Sequence, residues 1–389
     1  MNTNNKICIV VATPLTIHAF LRDQIQTLSH YFEITIVANF LENHEYKINL
    51  ENVKLVNIPL VRPISPVKDL LALFRLYIFF QKEHFCLVHS ITPKAGLIGM
   101  AAAFFAHIPI RIHTYTGQVW VTRKGISRWV LKFIDRIIGF ATTHTYADSL
   151  SQRDFIVKNK IVPSNKIKVL ADGSISGVDL IRFRPDALIR QHTREMIRLT
   201  IDSVVILFLG RMNPDKGIID LITAFRKISY DNIHLVMVGP DECGIQDQLP
   251  RLTGQGSQQI HFLDYTSEPE KLMAAADIFC LPSYREGFGS VVIEAAACGL
   301  PSVVSQIYGL TDAVIHGSTG LLYPPGDINR LVCALQKLVD NPVLRRQMGM
   351  AARTMVENLF SQDRLTQAVL AEYLAVTGHG YNKPRNCIK

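Results

Sequence analysis

The chain has 389 residues, 48% of them hydrophobic and 19% charged, which suits two domains and excludes a disordered or fibrous protein. Its net charge of +8 is uneven: residues 1–190 carry 23 Lys and Arg against 13 Asp and Glu, and residues 191–389 carry 18 against 20. A basic first half points to an anionic partner, such as a phospholipid surface, nucleic acid or a phosphorylated substrate.

The first expected element is the buried strand "KICIVV", residues 6–11. Pro14 follows too soon for this to be a signal peptide, and none is expected. A helix near 19–29, the strand "FEITIVA", the segment "VKLVNIP" and a helix over 66–81 come next. The strand "CLVHSI", a helix of small residues and the strand "IRIHTYT" (110–116) continue the alternation. This is a βαβ series, which predicts a mostly parallel sheet with helices on both faces. The apolar runs 70–80 and 95–110 are broken by Arg75 and His107 and are shorter than the roughly 20 residues of a spanning helix. The protein is therefore expected to be soluble or peripheral. In "RKGISRWVLKFIDRIIGF" (123–140), Trp129, Val130, Phe133, Ile134, Ile137 and Ile138 form one helical stripe, with Arg128, Lys132 and Arg136 opposite. Such a helix can lie in an anionic membrane interface, or pack on a sheet with its charged face in water.

The second half restarts the pattern with "SVVILFLG" (203–210), a helix over 218–228, the strands "IHLVMVG" and "QIHFLD", a helix over 268–276 and the strand "DIFCLP". Two doubly wound α/β sheets joined near 182–200 would frame a cleft, with ligands at the carboxyl ends of the strands. Arg211 and Lys216, in "FLGRMNPDKGIIDLITAF", fall in a strand-to-helix loop and suit an anion such as a diphosphate. They can equally be surface charge with Asp215 as partner. In "SYREGFGSVVIEAAACGLPSVVS" (283–305), a loop supplies Glu286 and the amides of Gly287, Phe288 and Gly289. Ser290 suits the N-cap of a helix running through Cys298 and carrying Glu294. Carboxylates beside Ala295, Ala296 and Leu300 need partners. Vicinal hydroxyls would serve, so two such groups can hold a ribose and a hexose with Arg211 and Lys216 at the phosphates between them. Helical segments near 327–338 and 364–375 close the chain. Seven scattered cysteines with no CxxC spacing indicate reduced thiols, and 13 histidines without an HExxH pair or Cys/His cluster suggest no metal site.

Together, "GRMNPDKG", "EGFGSVVIEAAACGLPSVVS" and "GLLYPPGD" resemble the C-terminal domain of the family 4 retaining glycosyltransferases of the GT-B fold, and the likeness extends over essentially the whole chain. The resemblance implies an α/β, GT-B architecture: two Rossmann-like domains facing across a deep cleft. Residues 1–190 would be the acceptor-side domain and 191–362 the nucleotide-sugar domain; 363–389 would be a helix and tail that can pack back on the first. By the same resemblance Arg211 and Lys216 contact the diphosphate and Glu294 the nucleotide ribose. Glu286 takes hydroxyls of the transferred sugar beside the Phe288 and Gly289 amides, and the base lies near Leu263 to Tyr265. "HSITPKAGLIGMAAAF", "RIHTYTGQVW", "ADSLSQRDF" and "GSISGVDLIRF" are similar to a bacterial group that extends polyprenyl-diphosphate-linked glycans.

That likeness implies a retaining, metal-independent hexosyltransferase with no cofactor, and the absence of Asp-x-Asp from the chain agrees. The donor expected first is UDP-N-acetylgalactosamine or another UDP-N-acetylhexosamine, with GDP-mannose, UDP-glucose and UDP-galactose as alternatives. The acceptor expected is an undecaprenyl-diphosphate-linked saccharide of O-antigen or polysaccharide biosynthesis. Work would be done in the cytoplasm on the inner face of the membrane, against an anionic surface and without nucleic acid. Two departures stand out. "ATPLTIHAF" lacks the glycine pair many members carry, so Thr13 must approach phosphates without glycine's freedom. "TYTG" puts Thr116 where many members have histidine, and His113, on the other strand face, is either a site residue or a core histidine. Thr13, His113, Thr116 and Lys124 are the acceptor-side candidates. A nucleotide-sugar epimerase is a rival reading. A nucleic-acid module is another, though no RNP, KH or helix-turn-helix signature supports it.

Overall fold

The computed structural model describes residues 5–41, 50–61, 65–228, 232–253 and 258–378. They form two compact units, Met1–Ser176 with Asp363–Lys389, and Gly177–Gln362.

In the first unit β1 (Lys6–Val10), β2 (Glu33–Ala38), β3 (Val53–Asn57), β4 (Leu87–Ile91), β5 (Ile110–Tyr115), β6 (His144–Ala147) and β7 (Ile167–Lys168) form one sheet in the order β3-β2-β1-β4-β5-β6-β7. Every pair is parallel. β1 and β4 are buried along almost their whole length because helices cover both faces. The chain reverses its direction of travel across the sheet after β3, so right-handed crossovers put the helices Pro66–Glu83, Pro93–Phe105 and Gly125–Ala141 together on one face. Their core includes Leu76, Phe80, Ile98 and Ile138. The other face carries Leu21, Ile25 and Leu28, together with Leu365, Leu370 and Tyr373 of the helix Gln362–Thr377. Residues 379–389, the end of the expected tail, lie outside the described residues.

The second unit contains β8 (Val204–Leu209), β9 (Ile233–Val238), β10 (Ile260–Leu263), β11 (Ile278–Leu281), β12 (Ser302–Ser305) and β13 (Gly320–Tyr323), in the order β10-β9-β8-β11-β12-β13. This sheet too is parallel throughout. The order reverses between β8 and β11, so the helices that follow these two strands lie on opposite faces of the sheet and the switch point falls at the strands' carboxyl ends.

The division between the units falls at residue 177, not at 190. Residues 177–190 are tied into the second unit: the Val178 amide donates to the Phe360 carbonyl at 2.8 Å and the Gln362 amide to Val178 at 2.9 Å. Arg190 and Arg194, on the helix Ala187–Met196, both grip Asp277 at 2.7 Å. Ser290 is likewise not the N-cap of the helix Ser290–Ala297 but its first residue; Gly289 caps it in the left-handed conformation, φ +84°. A bulky Leu310 methyl lies where a Cβ at 289 would be.

Candidate active site at the switch point of the second sheet

The segment after β8 runs through Gly210 and Arg211 to a 3-10 turn, Pro214–Lys216, and then the helix Ile218–Phe225. Gly217 joins turn to helix at φ +66°, and a Cβ there would clash with the Pro282 carbonyl oxygen. Only glycine therefore lets this segment lie against the loop leaving β11. The two are then laced together. The Tyr284 amide donates to the Asp215 carbonyl at 2.8 Å, the Arg285 guanidinium pairs with Asp215 at 3.0 Å, and the Tyr284 hydroxyl donates to Asp220 at 2.6 Å.

At the centre of this seam the Lys216 ammonium meets Glu286 Oε1 at 2.5 Å, and the Ser283 hydroxyl donates to the same oxygen at 2.7 Å. The pair is 19% and 13% exposed. Arg211 stands apart from it. Its guanidinium donates to both oxygens of Glu242, at 2.9 and 3.0 Å, and Asn213 donates to Glu242 at 2.8 Å. This second pair is 40% and 34% exposed, where an ion pair contributes about 1 kcal/mol or less, so a doubly charged anion can draw the arginine away. Asp215 holds Arg285.

The Phe288 ring is buried against Phe360, with centroids 5.1 Å apart, so only its backbone can face a ligand. Among the described residues the Phe288 and Gly289 amides make no hydrogen bond. Glu294 lies on the second turn of the helix Ser290–Ala297, between buried Ile293 and Ala295. Half-buried, its carboxylate has neither hydrogen bond nor ion pair among the described residues. Loss of solvent pushes its pKa up to about 7; Arg182 pulls it down by less, and Glu270 adds a smaller upward push. Those two residues hold each other at 2.8 Å. A carboxylate held this way, with a nearby cation but no partner, has its acceptor lone pairs available for a ligand's hydroxyls. Leu263 ends β10, and its carbonyl accepts from the Gly239 amide at 3.0 Å. No group of three or more His, Cys, Asp or Glu among the described residues is arranged to hold a metal ion.

Glu242, Ser283 and Tyr284 were not foreseen as parts of this edge. Glu242 carried a signal, being an acid just past the strand next to the Arg211 loop, and so did Ser283, whose partner Glu286 lies three residues on in the same loop; the partner of Tyr284, Asp220, lies 64 residues away, too far along the chain to be inferred.

The acceptor-side candidates belong to the first unit. Thr13 follows β1, caps the helix after it and accepts from the Leu15 amide at 3.0 Å. Half-buried Thr116 follows β5 directly, and exposed Lys124 stands at the N-cap of the helix Gly125–Ala141. His113 is not a site residue. It is 1% exposed, bonded to the Ser90 hydroxyl at 2.9 Å through Nδ1 and packed edge-on to Tyr115. Its ring fills the space beside Gly96, whose missing Cβ makes room for it. Burial holds its pKa down at about 3, so it stays neutral. His113→Ala is expected to cost about 2–3 kcal/mol in urea unfolding through the cavity and the lost hydrogen bond, with turnover per folded molecule unchanged. A carboxyl that the sequence did not single out, Asp148, follows β6; it is buried, its Oδ1 has no hydrogen bond among the described residues, and its pKa is raised to about 8.

Residues 190–355 match the family described as glycosyl transferases group 1. Over 319 residues the chain is 33% identical to the capsular polysaccharide biosynthesis glycosyltransferase CapM of Staphylococcus aureus, covering 81% of this chain and 83% of that protein. The chain belongs to the group 1 glycosyltransferases. This glycosyltransferase is also 28% identical over 341 residues to the UDP-Gal:alpha-D-GlcNAc-diphosphoundecaprenol alpha-1,3-galactosyltransferase of Escherichia coli, covering 82% of this chain and 87% of that one. Its fold matches sucrose-phosphate synthase from Thermosynechococcus elongatus with a TM-score of 0.81 and 19% identity, over 97% of this chain and 100% of that chain. The two units are thus the Rossmann-like domains of the GT-B fold. Arg211, Lys216, Glu286 and Glu294 all fall within the family match.

Proposed function

We propose that the protein moves a sugar from a UDP-sugar to a hydroxyl of an undecaprenyl-diphosphate-linked saccharide, with retention of anomeric configuration and without a metal ion. The observation that carries the donor half is Glu294: an unpartnered, half-buried carboxylate near the sheet edge that bears Lys216 and Glu286. In this reading Glu294 accepts from the ribose hydroxyls, Glu286 from hydroxyls of the transferred sugar, and Arg211 and Lys216 neutralise the diphosphate, with the Phe288 and Gly289 amides beside it. Leu263 lines the place of the base. The fixed positive charge does what a metal would otherwise do for a leaving phosphate. The bond from the anomeric carbon to the phosphate oxygen breaks as the bond to the acceptor oxygen forms on the same face. The acceptor proton passes to the departing phosphate oxygen.

The acceptor half draws on the Escherichia coli relative, whose name includes a diphosphoundecaprenol glycan. Such an acceptor places the enzyme at the inner face of the cytoplasmic membrane. The sugar favoured is an N-acetylhexosamine, N-acetylgalactosamine first. Galactose is the second reading, because the same relative's name includes UDP-Gal.

The test is a panel of radiolabelled UDP- and GDP-sugars offered with polyprenyl-diphosphate-linked monosaccharides in the presence of EDTA. Transfer from one UDP-sugar, with an axial anomeric bond in the product by NMR coupling, is expected. Transfer only from a GDP-sugar, or only with added divalent metal, would overturn the reading.

A further inference from the structure

The helix Gly125–Ala141 does not bury the stripe expected from its sequence. Ile138 does face the sheet, and Ile134 is half-buried beside it, but the remaining stripe turns to solvent. Ile126, Trp129, Val130, Phe133, Ile137 and Phe140 are all exposed, Trp129 by 65%. They follow helical spacing, so they line one side of the helix. Trp129 and Phe133 stack with their rings parallel, 5.5 Å apart.

Two neighbouring helices extend this surface. On Pro66–Glu83 the inward residues are Ala72, Leu76 and Phe80, while Val67, Leu70, Leu71, Phe74 and Ile78 face outward. Between these two helices lies Pro93–Phe105, which ends in exposed Phe104 and Phe105; the Phe104 ring meets Phe140 at 5.7 Å. All three helices sit on the same face of one sheet, so their outward stripes form one side of the unit. Isolated exposed apolar residues are ordinary, but a continuous bank of this kind marks an interaction surface.

The charge around the bank selects its partner. Lys68, Arg75, Arg123, Lys124, Arg128 and Arg136 are exposed on or beside these helices. Every acid on the three helices is engaged away from that surface: Asp69 with Lys94 at 2.7 Å, Glu83 with Lys54 at 2.7 Å, and Asp135 buried beneath the Trp120 indole at 2.8 Å. A second copy of the chain would bring like charges face to face, whereas an anionic lipid surface offers both the apolar layer and the countercharge.

We propose that this three-helix face is the membrane-docking surface, with Trp129, Phe133, Phe140 and Phe74 entering the acyl boundary of an anionic leaflet and the cations meeting the headgroups. The inference rests on the lipid-linked acceptor of the proposed function and adds the part of the molecule that reaches it. No helix among the described residues is long and apolar enough to cross a membrane, so attachment here is interfacial.

The chain has two tryptophans. Trp120 is 1% exposed, which leaves Trp129 as the reporter. Vesicles containing phosphatidylglycerol should shift its emission to the blue and pellet the full chain, and pure phosphatidylcholine vesicles should do so at least tenfold less. The double variant Trp129→Ser/Phe133→Ser should lose pelleting at least tenfold while binding UDP as the parent does. Failure of the parent to bind anionic vesicles, or pelleting of the variant equal to the parent's, overturns the proposal. So does a parent dimer in sedimentation equilibrium that the variant converts to monomer. Vesicle binding accompanied by no sugar transfer would count against the transfer reading and leave this surface standing.

Discussion

Replacing Glu294 with glutamine is expected to remove donor binding and stabilise the ligand-free protein at the same time. The first effect follows if this carboxylate accepts two charge-assisted hydrogen bonds from a ribose. Losing the charge and one acceptor should weaken UDP binding by roughly a hundredfold in calorimetry. The second follows from burial. The folded group has a pKa of about 7 against an ordinary 4.5, so the native state holds a proton that the unfolded chain releases. Stability therefore falls as pH rises from 4.5 to about 7 and is level above that. A neutral glutamine escapes this loss, a gain of about 1–3 kcal/mol in urea unfolding above pH 7 that vanishes at pH 4. The parent's affinity for UDP should also fall as pH drops through about 7, because the protonated acid accepts poorly, and the variant should show no such dependence. A residue with only a structural role would not trade binding against stability in this way. Unchanged UDP affinity in Glu294→Gln would remove Glu294 from the donor site.

The second large effect concerns Lys216 and Glu286, which hold each other at 2.5 Å. If the lysine stabilises the departing diphosphate, Lys216→Ala should lower kcat/KM by about 10² to 10³, the usual effect of deleting one group aimed at developing charge. Glu286→Gln should cost a similar factor through the sugar hydroxyls. The two side chains touch, so their effects should not add, and the double variant should fall little below the worse single one. Stability sharpens the test. Lys216→Ala strands a largely buried carboxylate whose one remaining side-chain partner among the described residues is Ser283, so it should be less stable than the double variant, in which no charge is left uncompensated. Normal turnover in Lys216→Ala would exclude the proposed site, while fully additive losses would mean that the two act separately.

Much of this edge was legible in the chain. "FLGRMNPDKG" and "SYREGFGS" each follow a run of consecutive apolar residues, and a buried parallel strand followed by a polar, glycine-containing loop puts that loop at the carboxyl edge. The partners across the edge were not legible. Lys216 and Glu286 are 70 residues apart and Arg211 and Glu242 are 31 apart, and no local pattern encodes which loop faces which. Two short strands were also hard to recognise: β7 has two residues, too few to show a period, and β6, HTYA, carries no apolar run. His113 could be placed on a strand face, but the cavity beside Gly96 that accepts it exists only once the helix Pro93–Phe105 is docked.

By itself, then, the sequence determined two parallel α/β halves, the loops that end their strands and the presence of an amphipathic helix within 123–140, because apolar periodicity and glycine positions act over a few residues. Tertiary structure alone decided that Glu294 stays unpartnered, that Glu286 is held by Lys216 while Arg211 takes Glu242, and that the apolar stripe of that helix looks outward. These outcomes depend on distances through space: a stripe is written in the order of residues, but whether it is buried depends on which other side of the same helix, here the one with Ile138, Gly139 and Ala141, fits the sheet beneath it.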